Sequence, residues 1–444
     1  PELVARHHQE SGNVDAALKH WSAAADLAER RAAPREAAQH YETALALVRQ
    51  APETPQALDL ELDLLRSLAR VARQTDGWNT ERVRQIELRI IEIARRLGRA
   101  DTVLAQSLLA SFRARLAKGD YGEGIEEFTS VPWGLDQILP SERQPLLFMA
   151  ALNNFAIGDF ARAQALAFES LELSQLMPPD PGRHFAGWSP EIALRAQLCQ
   201  GLRIVGQLGQ AAAMSAEALA IAEASPDRVS HALALYQQAQ TAETQGNWSE
   251  MLALATRACE LAESLAAAPT AALARQALGR ARVATGDVAG GVADIQLGLE
   301  RTRAMFGAVQ LCWAMALAVH ALLRAGAVEP AGELLSRAEK TQAATHDRSM
   351  QAEFRRMRGC LAELDGDADA AATTYREALA IAGRQGAALF SLRAALDLAR
   401  LLRRNGNMVD AIAVLRPIVE SFADGSNCPE MAEAQAILAR RASG

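Results

Sequence analysis

Few residues in this sequence are of types that could carry chemistry. His7, His8, His20 and His40 suggest a metal site, but no carboxylate or cysteine stands at ligand spacing from them, so they read as solvated or satisfied histidines. Asp365-Gly-Asp367-Ala-Asp369 begins as a calcium loop does. Its sixth position, however, is Ala370 where such a loop needs glycine, and its twelfth is Arg376 where it needs glutamate. An acidic turn capping the next helix is expected instead. Cys199, Cys259, Cys312, Cys360 and Cys428 include no C-x-x-C pair, which predicts neither a disulfide framework nor a zinc ribbon and points to a reducing, cytoplasmic compartment. None of the three lysines, Lys19, Lys118 and Lys340, follows a glycine, so the chain holds no Gly-Lys-Ser/Thr phosphate cradle. H-E-x-x-H, G-x-S-x-G and the dinucleotide fingerprint are missing as well. The expectation is a non-enzyme with no catalytic residue, no metal and no cofactor.

Charge adds little. The formal −7 comes from 46 basic and 53 acidic residues spread along the chain, which creates no field to draw in nucleic acid or an anionic membrane. Neither is expected as a partner. Arginine groups at 95, 96 and 99, at 355, 356 and 358, and at 400, 403 and 404 are read as solvated helix faces. No apolar run reaches membrane-spanning length and no signal-type stretch opens the chain. The first residue is Pro1 and not Met, as expected of a processed start or of a piece of something longer.

The elements that would position these residues are helices. Alanine makes up 94 of 444 residues against 5% aromatics, and such a chain forms many closely packed helices. Gly206, Gly246, Gly286, Gly326, Gly366 and Gly406 are spaced by 40 residues, five times in succession. Gly12, Gly119 and Gly158 mark further turns of the same kind. Each glycine ends one helical pattern, and an Asn or Asp often caps the next, as in Gln-Gly-Asn-Trp at 245–248 and Thr-Gly-Asp-Val at 285–288.

Small residues keep register with these turns. Ala211, Ala331, Ala371 and Ala411 lie five positions after the glycine, and Ala218, Ala258, Ala338 and Ala378 lie twelve after it. Cys199, Ala239, Gly279, Gly359 and Ala399 lie seven before it, and Met251, Gly291, Val319 and Ile418 are departures. An antiparallel helix pair needs small residues where its helices cross, so this is the tetratricopeptide pattern lengthened to 40 residues. The predicted fold is all-α: a right-handed solenoid of about ten helical hairpins. Its expected parts are irregular N-terminal repeats at 1–54, repeats at 55–177, an inserted Pro/Gly-rich loop at 178–190, regular repeats at 191–427 and a capping helix at 428–444. The loop should project from the solenoid, and Arg183, His184, Phe185 and Trp188 are its candidate interaction residues.

Pro1-Glu-Leu-Val-Ala-Arg-His-His, Ala16-Ala-Leu-Lys-His-Trp21 and Ala37-Ala-Gln-His-Tyr-Glu-Thr-Ala-Leu45 carry a further likeness, continued by Arg95-Arg-Leu-Gly98 and Leu379-Ala-Ile-Ala-Gly-Arg-Gln-Gly-Ala. Together they resemble the C-terminal repeat region of bacterial STAND/AAA-type signalling ATPases, in which an adenylate cyclase-like or winged-helix domain comes first. The resemblance implies a regulatory module with its catalytic parts upstream, so no catalytic residue is carried onto this chain. The expected partner is a protein, either the chain's own upstream ATPase domain or a partner segment in the concave groove, with a small effector as a further ligand. The alternative is a freestanding adaptor that binds peptide termini. The scarcity of lysine disfavours the Lys/Asn carboxylate clamp of such adaptors, although arginine could substitute.

Overall fold

All nine turn glycines of the repeat, from Gly12 to Gly406, have positive φ, between 72° and 105°, the left-handed conformation that stops a helix without a Cβ penalty. The next helix is then started by a side chain in several repeats. Asn13, Asp159, Asp287, Asp367 and Asn407 each accept a hydrogen bond from the backbone N–H three residues on, which satisfies one orphan donor of the first turn. The Asp367 bond, from the Ala370 N–H at 2.9 Å, gives the acidic run its role as a cap.

The computed structural model describes all residues except 32, 78–79, 123–137, 178–184, 186, 423–427 and 440–444. Among them the helices are α1 (Glu2–Glu10), α2 (Val14–Arg30), α3 (Pro34–Val48), α4 (Pro55–Thr75), α5 (Glu81–Arg96), α6 (Ala100–Lys118), α7 (Pro140–Ile157) and α8 (Phe160–Leu176). They continue as α9 (Pro190–Ile204), α10 (Leu208–Ala224), α11 (Arg228–Thr244), α12 (Trp248–Ser264), α13 (Ala268–Ala284), α14 (Val288–Phe306) and α15 (Leu311–Arg324). The last are α16 (Val328–Thr345), α17 (Gln351–Leu364), α18 (Ala368–Gln385), α19 (Ala388–Arg404), α20 (Met408–Glu420) and α21 (Pro429–Ala439). Each packs on its sequence neighbours, and α2 packs on both α1 and α3. The molecule is an all-α tetratricopeptide-like solenoid.

The small-residue register is where the pairs close. Ala211, Ala218, Ala371, Ala378 and Ala399 are each at most 1% exposed. In the α13–α14 pair, a Cβ on Gly279 would stand 2.7 Å from the Gly291 carbonyl oxygen, and one on Gly291 would stand 2.6 Å from that of Gly279. Gly291, a departure in sequence, is thus the residue that brings these two helices closest. Five positions after most of the other turns alanine suffices, and after Gly246 the buried Met251 takes that place.

The solenoid also closes on itself. Ala308 N–H reaches Ala117 O at 3.0 Å, and the N–H groups of Arg348 and Ser349 reach Ala156 O at 2.7 and 3.0 Å. Gly206 lies against Ala388, and Gly246 against Pro429. Four successive glycine turns therefore rest on four successive junctions between pairs, each four pairs further along the chain. Phe160 meets Phe390 edge-on at 6.4 Å, and Phe155 meets Trp313 at 5.8 Å, so apolar rings fill the space between superhelical turns.

Candidate functional site

The inner face is formed by the helix that precedes each turn glycine. Six residues before the glycine stand Gln200, Gln240, Arg280, His320, Cys360 and Arg400, one place after the small residue at the crossing. Helical geometry turns that next position toward the interior, and the side chains there join into a polar seam. Gln200 and Gln310 bond across the interior at 3.1 Å. Gln240 donates to Gln237 at 3.0 Å, and Gln237 to Ala196 O at 2.7 Å. Arg280, 1% exposed, forms a fork with both oxygens of Glu243 at 2.9 and 2.8 Å. This ladder of polar residues recurs in the sequence at one offset, directly after the small crossing residue.

The expected interaction loop is corrected at its described end. Phe185 and Trp188 face inward, each 6% exposed, and they form a two-residue bridge through main-chain bonds of 2.7 and 2.9 Å. Phe185 stacks on Phe148 at 4.8 Å, Trp188 stacks on Phe306 at 6.2 Å, and the indole N–H donates to Thr270 Oγ1 at 2.7 Å. Burial of two large rings, with the indole N–H satisfied, pulls this end of the segment into the core. Arg183 and His184 lie outside the described residues, as does Trp78.

Beside Trp188, a hollow of about 60 Å³ is lined by Phe148, Tyr236, Gln237 and Gln197. Gln197 is 7% exposed, and neither its amide oxygen nor its nitrogen has a partner among the described residues. A second pair of adjoining hollows, about 40 and 370 Å³, opens between α9 and α11 on one side and α15, α17, α19 and α21 on the other. Its walls are built from ion pairs. Arg356 meets Glu353 and Asp397, both at 2.8 Å, Arg393 meets Glu430 at 3.1 Å and Glu353 at 3.3 Å, and Arg400 meets Asp397 at 2.7 Å. These partners hold the carboxyls of Glu353 and Glu430 below the usual carboxylate range against the opposing effect of burial. The solvated-face reading of the arginine groups is corrected at Arg356, which is 5% exposed and works inside the wall, whereas Arg95, Arg96, Arg99, Arg355 and Arg404 are exposed. Burial and the positive charges of Arg393 and Arg356 keep His320 neutral.

Near the N-terminus, a groove of about 850 Å³ runs between α3, α4 and α5, with Leu45, Leu58 and Ile86 on its floor and Arg49, Arg89 and Glu61 in its wall. Glu61 accepts from both arginines at 2.9 Å. One expectation about the histidines is corrected as well. The oxygens of Glu2 and Glu36 and a nitrogen of His40 lie within 4.8 Å of one another, because Glu36 and His40 share a helix face one turn apart and α1 brings in Glu2. His40 Nε2 is 3.6 Å from Glu36 and its ring packs on Trp21 at 5.3 Å, a satisfied histidine. All five cysteines are free, and burial raises the thiol pKa of Cys199 and Cys259 to about 11. Among the described residues no helix is long and apolar enough to cross a membrane.

Comparison with protein-family models and with curated proteins finds no match. Among solved structures, the Rap protein complexed with competence and sporulation factor is similar, with a TM-score of 0.58 at 15% identity over 87% of this chain and 99% of that one. The Cut9–Hcn1 hetero-tetramer of APC/C has a TM-score of 0.48 at 11% identity over 100% and 90%. An IFIT1 monomeric mutant with Gppp-AAAA has a TM-score of 0.45 at 14% identity over 96% and 90%. At 15% identity the Rap likeness establishes a shared fold.

Proposed function

We propose that this chain is a non-catalytic interaction and sensing module whose concave face takes a protein segment or a small effector, and that it is the regulatory repeat region of a larger signalling ATPase. The observation that carries the first part is Gln197. A buried primary amide with both its donor and its acceptor unsatisfied costs stability and matches what an incoming backbone or effector amide offers. Trp188, from the segment expected as an interaction loop, forms the wall of the same hollow. The Rap structure, complexed with a factor, agrees with this use of the fold. The second part is supported by the residue resemblance to STAND/AAA-type proteins, in which the ATPase domain precedes the repeats.

The test is to recover the native protein from its source cells with an antibody to this region and to measure its intact mass and its cross-links. A species well above 47.6 kDa, cross-linked from the inner helices to its own ATPase domain, is expected. A species of 47.6 kDa would replace this reading with a freestanding adaptor in the cytoplasm that works on partners in trans. Nucleic acid is not proposed as a ligand, and DNA or RNA binding that falls steeply with salt would overturn that.

A further inference from the structure

Arg203 is a buried charge that the repeat architecture does not explain. It occupies the last turn of α9, is 4% exposed, and forms no ion pair with a carboxylate among the described residues. Its NH2 group donates to Gln240 Oε1 at 3.3 Å, and its NH1 group has no partner there. Glu243 lines the same inner hollow, but Arg280 occupies both of its oxygens. A guanidinium in this position is expensive unless an acceptor arrives, and burial lowers the Arg203 pKa accordingly.

A second orphan donor lines that hollow. Trp313 is 6% exposed and its indole N–H has no partner among the described residues. His320 adds a third donor. Arg356 NH2 lies 3.0 Å from its Nδ1, and since a guanidinium only donates, Nδ1 must accept and the proton of the neutral ring sits on Nε2. At the rim, Arg324 lies over the Trp248 ring at 4.9 Å. The inner hollow, about 40 Å³, holds a group the size of two or three waters, and it opens into the outer one of about 370 Å³ through His320, Arg324 and Arg393.

We infer that this cleft binds a carboxylate whose oxygens accept from Arg203 NH1 and the Trp313 indole, with the rest of the molecule lying out toward Arg324. The inference deepens the reading of the interior as the ligand face and rests on it. A monoanion fits better than a phosphate, because the other buried arginines of the wall are already neutralised by Glu353, Asp397 and Glu430, and a dianion would face those carboxylates. Donors come from α9 on one superhelical turn and from α15 on the next, so the ligand would join the two turns. A free organic acid and the C-terminus of a peptide present the same group.

The probe is trifluoroacetate, followed by its 19F linewidth in the presence of the full 444-residue chain. Broadening is expected, with affinity weakened about tenfold by Arg203→Gln and a few-fold by Trp313→Phe, which keeps the ring packing and removes the donor. The exposed-site control Arg95→Gln should leave it unchanged. Displacement by acetate as effective as that by acetyl-Gly-Ala-Ala assigns a small organic acid. Displacement that needs the tripeptide acid and fails with its amide assigns a peptide terminus. If Arg203→Gln does not fold, Trp313→Phe decides. No broadening by the wild-type chain, or equal broadening by all variants, overturns the site. That failure would leave cross-links to a partner domain untouched, whereas loss of those cross-links with trifluoroacetate still bound would sink the wider reading alone.

Discussion

Replacing Asp347 by asparagine should stabilise the protein at neutral pH and do nothing at pH 4. Asp347 lies between α16 and α17, 3% exposed, and accepts from the Ser349 N–H at 2.8 Å and the Ser349 hydroxyl at 2.6 Å. Burial pushes its carboxyl up to about 6, while the bonds from Ser349 and Cys312 pull the other way. Tyr121 and Cys312, the titratable groups facing it, are held protonated far above this range by burial. A carboxyl with a raised folded pKa binds more protons in the native state than in the unfolded one, so unfolding free energy falls as pH rises between the two pKa values. The stability is fully present below about pH 4, is lost as pH climbs through about 6, and stays lost above it. Two units at about 1.4 kcal/mol each set a ceiling near 3 kcal/mol, and relaxation around the carboxylate reduces that to about 1–2 kcal/mol.

Asparagine keeps the oxygen that accepts from Ser349 and carries no charge, so it should recover this amount at pH 7.5. The effect should spread beyond the side chain, because the adjacent Arg348 and Ser349 N–H groups make the bonds to Ala156 that join two superhelical turns. The assay is urea unfolding of wild type and Asp347→Asn at pH 4, 5, 6 and 7.5, reading the difference between the two proteins so that other carboxylates cancel. A difference that opens across pH 4 to 6 and is flat above 7 is expected. A constant difference, or a variant less stable than wild type at pH 7.5, would refute the reasoning.

Ala378→Leu should overpack the α18 crossing and lower stability by about 1–3 kcal/mol, and an unchanged melting temperature would show the small-residue register to be misplaced. Gly119→Ala combines a left-handed φ of 92° with a Cβ 2.5 Å from Thr345, so it should cost at least about 2 kcal/mol and raise the radius of gyration in solution scattering as the superhelical turns part; the same radius would contradict that contact. Trp188→Phe removes the donor to Thr270 while keeping the stack on Phe306, and should cost about 1 kcal/mol in urea unfolding; no loss would mean the indole N–H carries none of the loop's anchoring.

The helical hairpins were legible because the repeat writes them out. Gly206 to Gly406 fixed the turns, Asp367 and Asn407 their caps, and Ala371 and Ala378 the faces that meet. The position after the crossing, from Gln200 to Arg400, was equally regular, but its polarity looks like a solvated face unless the solenoid is known to curl inward there. What the period cannot encode is the meeting of a repeat with one five or six pairs later. Gly158 near Gln385 and Phe160 near Phe390 are related by superhelical pitch, which accumulates from small rotations at every pair. The Pro/Gly-rich insertion misled for a related reason. Its prolines forbid helix, but only the position of Phe148 and Phe306 on other repeats decides that Phe185 and Trp188 turn in.

These two kinds of contact divide the chemistry of the molecule. Within a pair, most crossing positions hold alanine, glycine or cysteine, which lets helices that share one core approach closely, and the buried Met251 and Val319 are departures from that rule. Between superhelical turns no repeat dictates the residue, and there the chain places its costly groups: Asp347 beside the bonds to Ala156, Gln200 against Gln310, and Arg203 across from Trp313. A buried charge at such a boundary makes the stability of the boundary depend on whatever neutralises it, a proton for Asp347 and an acceptor for Arg203. Because each boundary sums contacts from separate pairs, a change at one of them bears on the curl of the whole array, whereas a change inside a pair stays with that pair and its neighbours.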